Sequence, residues 1–242
     1  MTIGRLATRA VIRVSPAEES EDAAAFLQGL LTNDVTGDLP VYAALLTPQG
    51  KTMFDMFVWR DGDAVLLDCE ADAAEELAKR LSLYRLRRKI DIGVDPSLAV
   101  DWSSEQADSF TADPRLAELG FRRIAQGEAG EPVDDKYLAH RLSHGVAEGR
   151  GELGDMLWLE TNAAELNGVS FSKGCYIGQE NTARMNWRQK VNRRLVVVPL
   201  DRSEEKRRKA EYPDLELAVD HLRVADIPED VVPDWMTLET ES

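Results

Sequence analysis

An α+β fold is predicted for this 242-residue chain by three observations. Apolar runs rich in β-branched and aromatic residues recur at 41–47, 52–60 and 64–70, parted by the turn signals "PQGK" and "DGD", the pattern of an antiparallel meander. One segment, "ADAAEELAKRLSLYRLRRK", places Leu77, Leu81, Leu83 and Leu86 at helical spacing. Further strand-like runs follow that helix, so strands, helix and strands read as one sheet rather than an alternating parallel design.

Taken in order, "MTIGRLATRAVIRV" carries Arg5, Arg9 and Arg13 and no acid before Glu18, which superficially resembles a mitochondrial presequence. It lacks serine, and Val11, Ile12 and Val14 suit a strand. In "SPAEE", Ser15 as N-cap, Pro16 at the first helical position and Glu18 at N3 predict a helix start. That helix should turn Ala24, Phe26, Leu27, Leu30 and Leu31 inward and end near "TNDVTGD". After the meander and its helix, strands are expected near 90–94 and 98–102. Residues 103–135 are irregular and acidic, with a strand at "FRRIAQ"; "DDKYLAHRLSHG" reads as a helix stopped by Gly145. Gly178 opens a helix "QENTARMNWR", and "RRLVVVPL" at 193–200 is a strand that begins a short, highly charged C-terminal region.

The length suits one large or two modest domains. A net charge of −15 repels phosphate backbones and argues against nucleic acid as a direct partner. No apolar run approaches the ~20 residues that span a bilayer, which excludes a transmembrane helix. Basic clusters at 84–89, 184–194 and 206–209 read as solvated faces, although the middle one could form a positive pocket for a small anion. Cys69 and Cys175 lie far apart with no CxxC, which argues against a zinc site or a disulfide scaffold and points to a reducing compartment.

Two residues stand out chemically. Cys69 ends an apolar strand and reads as a small buried hydrophobe. Cys175 sits in "KGCYIGQE", between Gly174 and Tyr176, with Lys173 two residues before it and a helix start just after Gly178. A lysine and a helix N-terminus both bias a thiol toward thiolate, the form that attacks electrophiles or ligates metal. Asp55, inside the apolar run "TMFDMFVWR", faces either solvent or a site; burial would raise its pKa and make it a hydrogen-bonding or proton-transfer group.

The stretch "KGCYIGQE" with "TARM" after it resembles the signature of the YgfZ family, the folate-binding relatives of the glycine-cleavage T-protein (aminomethyltransferase). "FLQGLLTNDV", "YAALLTPQGKTMFDMFV", "RLSHGVAEG" and "LWLETNAAELNGVSFSKGCYIGQE" are similar to further family blocks in family order, covering residues 5–200. The resemblance implies a T-protein-like fold of two interleaved α/β subdomains with antiparallel sheets, spanning 1–192 (1–30 with 105–192, and 31–104), around a folate-sized opening. Residues 193–242 do not resemble the family's Gly-rich barrel and are expected to form a shortened or remodelled C-terminal segment.

The resemblance also implies tetrahydrofolate binding and a role in making or repairing iron–sulfur clusters, with Cys175 as the residue on which function hangs. Lys173, Gly174, Tyr176, Gly178, Gln179 and Glu180 match the rest of the motif. Asp55 falls where T-proteins keep an aspartate against folate; Tyr42, Phe54 and Trp187, with Lys173, are candidates for the ligand's surroundings. One thiolate cannot hold a cluster, which takes about four ligands. A transient cluster would therefore be shared with a partner, an A-type iron–sulfur carrier, on its way to cluster-requiring clients such as tRNA-thiolating enzymes. The location implied is the cytoplasm in bacteria or the mitochondrial matrix in eukaryotes. A non-turnover assembly factor is the favoured reading. The alternative is a folate-dependent aminomethyl or one-carbon transferase, since fold alone does not fix function.

Overall fold

The computed structural model describes residues 2–127, 130–188 and 191–238, with backbone only for Trp187 and Arg188. The strands in chain order are β1 (Ile3–Arg5), β2 (Arg9–Pro16), β3 (Val41–Leu46), β4 (Thr52–Asp61), β5 (Ala64–Glu70), β6 (Ile90–Val94), β7 (Leu98–Ser103), β8 (Thr111–Ala112), β9 (Phe121–Gln126), β10 (Arg193–Pro199), β11 (Arg208–Tyr212) and β12 (Leu217–Arg223). The helices are α1 (Ala23–Gln28), α2 (Ala74–Arg85), α3 (Asp134–Ser143), α4 (Arg150–Leu153) and α5 (Gln179–Arg188).

The strands form three sheets, with orders β3-β4-β5-β2-β6, β1-β7-β9-β8 and β10-β12-β11. The predicted meander is the first half of the five-stranded sheet, with Tyr42 opposite Phe57 and Ala44 opposite Asp55. Side chains alternate across a strand. Ala43, Leu45, Phe54, Met56 and Val58 therefore meet α1 and α2 through Leu27, Leu77 and Leu81. Tyr42, Ala44, Leu46 and Phe57 face the other way, against Trp158, Tyr176 and, from the C-terminal sheet, Leu195 and Val219. A third cluster joins Val11 and Leu66 to Val100, Trp102 and Tyr137.

Several expectations are corrected. The strands do not share one sheet: β6 pairs with β2, whereas β7 pairs with β1 and β9. The "SPAEE" segment does not start a helix. Ser15 and Pro16 extend β2 opposite Asp91 and Ile90, and α1 begins at Ala23 with the Asp22 carboxylate accepting from Ala25 N at 3.0 Å. Strand pairing thus outweighs a local capping signal. The predicted inward face of that segment survives, because Ala24, Phe26, Leu27, Leu30 and Leu31 are all buried. On α2, Leu77 and Leu81 are buried but Leu83 and Leu86 are exposed. The N-terminal arginine-bearing segment forms strands β1 and β2, as its β-branched residues predict.

Beyond Leu200 the chain completes the three-stranded sheet. One face carries Val196, Val198, Ala218 and Leu222; the other packs on the body.

Candidate functional site

Cys175 is exposed on the loop that leads into α5. Two devices set that loop. Gly178 has φ +81°, and a Cβ there would lie 2.6 Å from the Thr47 carbonyl oxygen and 3.0 Å from Gly50 Cα, itself a positive-φ glycine. Only glycine permits both the conformation and the approach. Asn181 Nδ2 adds a bond to the Gln49 carbonyl at 2.9 Å, so the β3–β4 turn "PQGK" cradles the start of α5. Gly174, by contrast, has open space around it.

The second device is Lys173. Its ammonium donates to the carbonyls of Gln28 at 2.6 Å, Leu31 at 2.5 Å and Asn33 at 3.0 Å, and it lies 5.2 Å from the centroid of the Tyr176 ring. It therefore ties the loop to the end of α1. Lys173 is expected from the sequence to activate the thiol or bind a cofactor; in the structure its three donors go to main-chain oxygens, which gives it a structural role in holding the loop. Tyr176 is buried in the core cluster that also holds Tyr42, while Glu180 is exposed in the first turn of α5. Gln179 begins that helix and its backbone N–H bonds the Tyr176 carbonyl at 3.3 Å. The side chain of Trp187 lies outside the described residues.

Asp55 is buried, 2% exposed. Its Oδ2 accepts from Tyr42 Oη at 3.0 Å and from Gly149 N at 3.3 Å, while Oδ1 is buried without a partner among the described residues. Burial, with the nearby Glu148 charge, pushes this carboxyl up from its ordinary value. The next backbone N–H, of Arg150, donates to Glu70 at 2.7 Å; burial and Asp55 push Glu70 up to about 7. Gly149, at φ +82°, leaves no room for a Cβ, which would sit 2.5 Å from Glu70 Oε1. The entry to α4 thus gathers two carboxyls side by side.

Beside them lies a buried ionic network. Arg9 bonds Asp68 at 2.5 Å and Glu148 at 3.3 Å, and Arg115 bonds Asp113 at 2.8 Å and Glu148 at 2.6 Å. Arg122 reaches Asp113 at 3.1 Å, Asp68 at 3.3 Å and Tyr137 Oη. Burial raises Glu148, but Arg115, Arg122 and Arg9 overcome it and hold the carboxyl well below the usual range. The guanidinium of Arg122 stands 4.0 Å from the Phe57 ring centroid, and that of Arg115 stands 4.7 Å from Phe57 and 5.1 Å from Tyr42.

Tyr42 and Phe54 do not form one aromatic wall, since alternation puts them on opposite faces of the sheet. The aromatic neighbour of Asp55 is Phe57, two residues on, and guanidiniums cover its ring. What remains open is a cavity of ≈ 480 Å³ lined by Arg9, Glu70, Tyr137, Arg141, Glu148, Gly149 and Tyr212, among others. For folate, the fit is through the polar groups that line the cavity, since the Glu70 and Glu148 carboxyls suit a ring edge rich in N–H donors, as a pterin's is. Asp55 lies outside the lining and meets it only through the Gly149 N–H it accepts. Stacking on Tyr42 or Phe54 is not part of it. Sequence reasoning missed Glu70, Gly149, Glu148 and the arginines. For Glu148 and Gly149 the one signal was that "RLSHGVAEG" read as a family block; Glu70, Arg9, Arg115 and Arg122 lie outside every such block.

This arrangement, a sealed polar centre and an exposed thiol on a T-protein-like body, defines the class of protein. The glycine cleavage aminomethyltransferase T of Bartonella henselae matches with a TM-score of 0.64 over 92% of this chain and 78% of that one, at 12% identity, which speaks to the fold alone. In sequence, the chain is 36% identical over 236 residues to the human mitochondrial iron–sulfur cluster assembly factor IBA57, and 34% identical over 245 residues to the mouse protein. It is 32% identical over 229 residues to the Mycosarcoma maydis homologue. These matches cover 80%, 83% and 80% of this chain, which spans 65%, 66% and 56% of those relatives' lengths. No protein-family model matches the chain. The chain belongs to the family of YgfZ and IBA57, T-protein-like proteins whose IBA57 members are named iron–sulfur cluster assembly factors.

Proposed function

We propose that this protein is an accessory factor in iron–sulfur cluster assembly or repair, in which Cys175 lends a single sulfur to a cluster held mainly by another protein. The observation that carries this reading is the exposed thiol on a loop fixed by Lys173 and Gly178. A thiolate is the natural ligand for iron, and one of them completes a site rather than builds it. The partner that fits is an A-type carrier bringing its own cysteines, and the cluster is cargo bound for clients such as tRNA-thiolating enzymes. Reducing compartments suit this role: the cytoplasm of a bacterium or a mitochondrial matrix.

Folate is the small molecule we assign to the cavity lined by Glu70 and Glu148, with Asp55 behind its wall and accepting from the Gly149 N–H. No residue of the Cys175 loop lines that cavity, so in this reading the thiol and the folate act at separate places.

The test is rescue of a deletion strain, scored by the activity of a cluster-dependent enzyme. Cys175→Ser is expected to fold normally and fail to rescue; full rescue would remove the proposal. Tetrahydrofolate titration followed by protein fluorescence should saturate in the wild type and weaken in Asp55→Asn. Production of methylenetetrahydrofolate from an aminomethyl donor, independent of Cys175, would instead establish the transferase.

A further inference from the structure

On the far side of α4 lies a second cavity, of ≈ 460 Å³, whose lining is of the opposite sign. It sits at the seam between the body and the C-terminal sheet, and Arg150, Arg208 and Lys209 reach it, over a floor of Thr52, Phe54 and Gly151. Its one acid, Asp155, is already paired with Lys51 at 2.9 Å, and that pairing holds its carboxyl below the usual range.

The cations are not equally committed. Arg208 is held by Glu211 and by Ser203 Oγ at 2.8 Å. Arg150 gives Nη1 to Glu76 at 2.7 Å, and its guanidinium lies 5.0 Å from the Phe54 ring centroid. Lys209 Nζ meets the Gly154 carbonyl at 3.3 Å and, among the described residues, no carboxylate within ion-pair distance. Asp155, which Lys51 holds, also feels the Lys209 charge, so in a chain of net charge −15 this lining sets three cations against one acid that is already paired. A concave site walled by one sign of charge concentrates the opposite ion.

We propose that this seam is an oxyanion site, taking a phosphate or carboxylate group between Lys209 and Arg150. Because Arg150 opens α4 and Lys209 lies on β11, a bound oxyanion bridges the body and the C-terminal sheet. Gly151 lines this cavity and the one beside Glu70, and an added Cβ there would meet nothing within 4 Å, so the two cavities adjoin at a position without a side chain. The site stands on its own cations and does not depend on the folate reading.

Calorimetric titration of the full chain at constant ionic strength, with inorganic phosphate in one arm and γ-linked triglutamate in the other, tests this. Neither probe carries a pterin, so the result is separate from that for folate. Saturable binding of either probe is expected, weakened roughly tenfold or more in Lys209→Ala and in Arg150→Ala, the effect of losing one charge-assisted contact. The surface control Lys206→Ala should bind as the wild type does. Preference for phosphate assigns a free phosphate or phosphoryl ligand, and preference for triglutamate assigns a ligand with a carboxylate tail. No saturable binding of either, or binding that both substitutions leave unchanged, overturns the proposal.

Discussion

The ammonium of Lys173 lies 2.6 Å from the carbonyl oxygen of Gln28, 145 positions earlier in the chain. With Leu31 and Asn33 it forms a three-carbonyl seat at the end of α1, and this seat holds the loop that presents Cys175. A residue that sequence spacing offers as a thiol activator is thus a tether.

Lys173→Met should therefore cost stability of about 1.5–3 kcal/mol, the range for hydrogen bonds to a charged group. Lys173→Arg should not restore it, because a flat guanidinium cannot point donors at three converging oxygens. Urea denaturation measures both. Wild-type stability in Lys173→Met would show the tether to be idle.

The two motif glycines should behave differently. Gly178→Ala places a Cβ against the Thr47 carbonyl at positive φ and is expected to cost about 1–3 kcal/mol. Gly174→Ala meets nothing and should stay within about 0.5 kcal/mol of wild type. Equal effects at the two positions would contradict this account of the loop.

Arg122 is fully buried between Asp68, Asp113 and Glu148. Removing one member of such a network leaves charge uncompensated, so Arg122→Met is expected to destabilise by about 3–5 kcal/mol. A thermal scan showing a loss under about 1 kcal/mol would mean that the network relaxes without it.

Glu70 gives a pH signature. Its carboxyl is raised from its ordinary value to about 7, so the folded state binds its proton more tightly than the unfolded chain does. That contribution is fully present below about 4.5 and is lost as pH rises through about 7. Glu70→Gln keeps an acceptor for Arg150 N and removes the titration. Its melting temperature should fall less than that of the wild type between pH 5 and 8. Parallel curves would rule Glu70 out as the titrating group.

Local pattern carried much of the architecture. The "PQGK" and "DGD" turns delimit β3, β4 and β5, and the helix opened by Gly178 begins at Gln179. Burial of Leu27 and Leu77 and exposure of Cys175 agree with what their neighbours suggest. Where a local signal met a pairing partner, it lost: Ser15 and Pro16 follow β6 rather than cap a helix. Alternation alone would have replaced Phe54 with Phe57 as the ring beside Asp55, since residues two apart share a face.

What the amino-acid order settles by itself is the chemistry on offer: the strand and helix periods, the thiol in its glycine-flanked loop, and an acid set among apolar neighbours. Which charges meet was decided only by tertiary structure. Arg9, Asp68, Arg115, Arg122 and Glu148 come from five separate places in the chain, and the sheets bring them into contact at 2.5 to 3.4 Å. Chain-local rules reach about one turn of helix or one pleat of strand. Burial pairs groups over the whole fold, and there an ion is stable only beside its counter-ion.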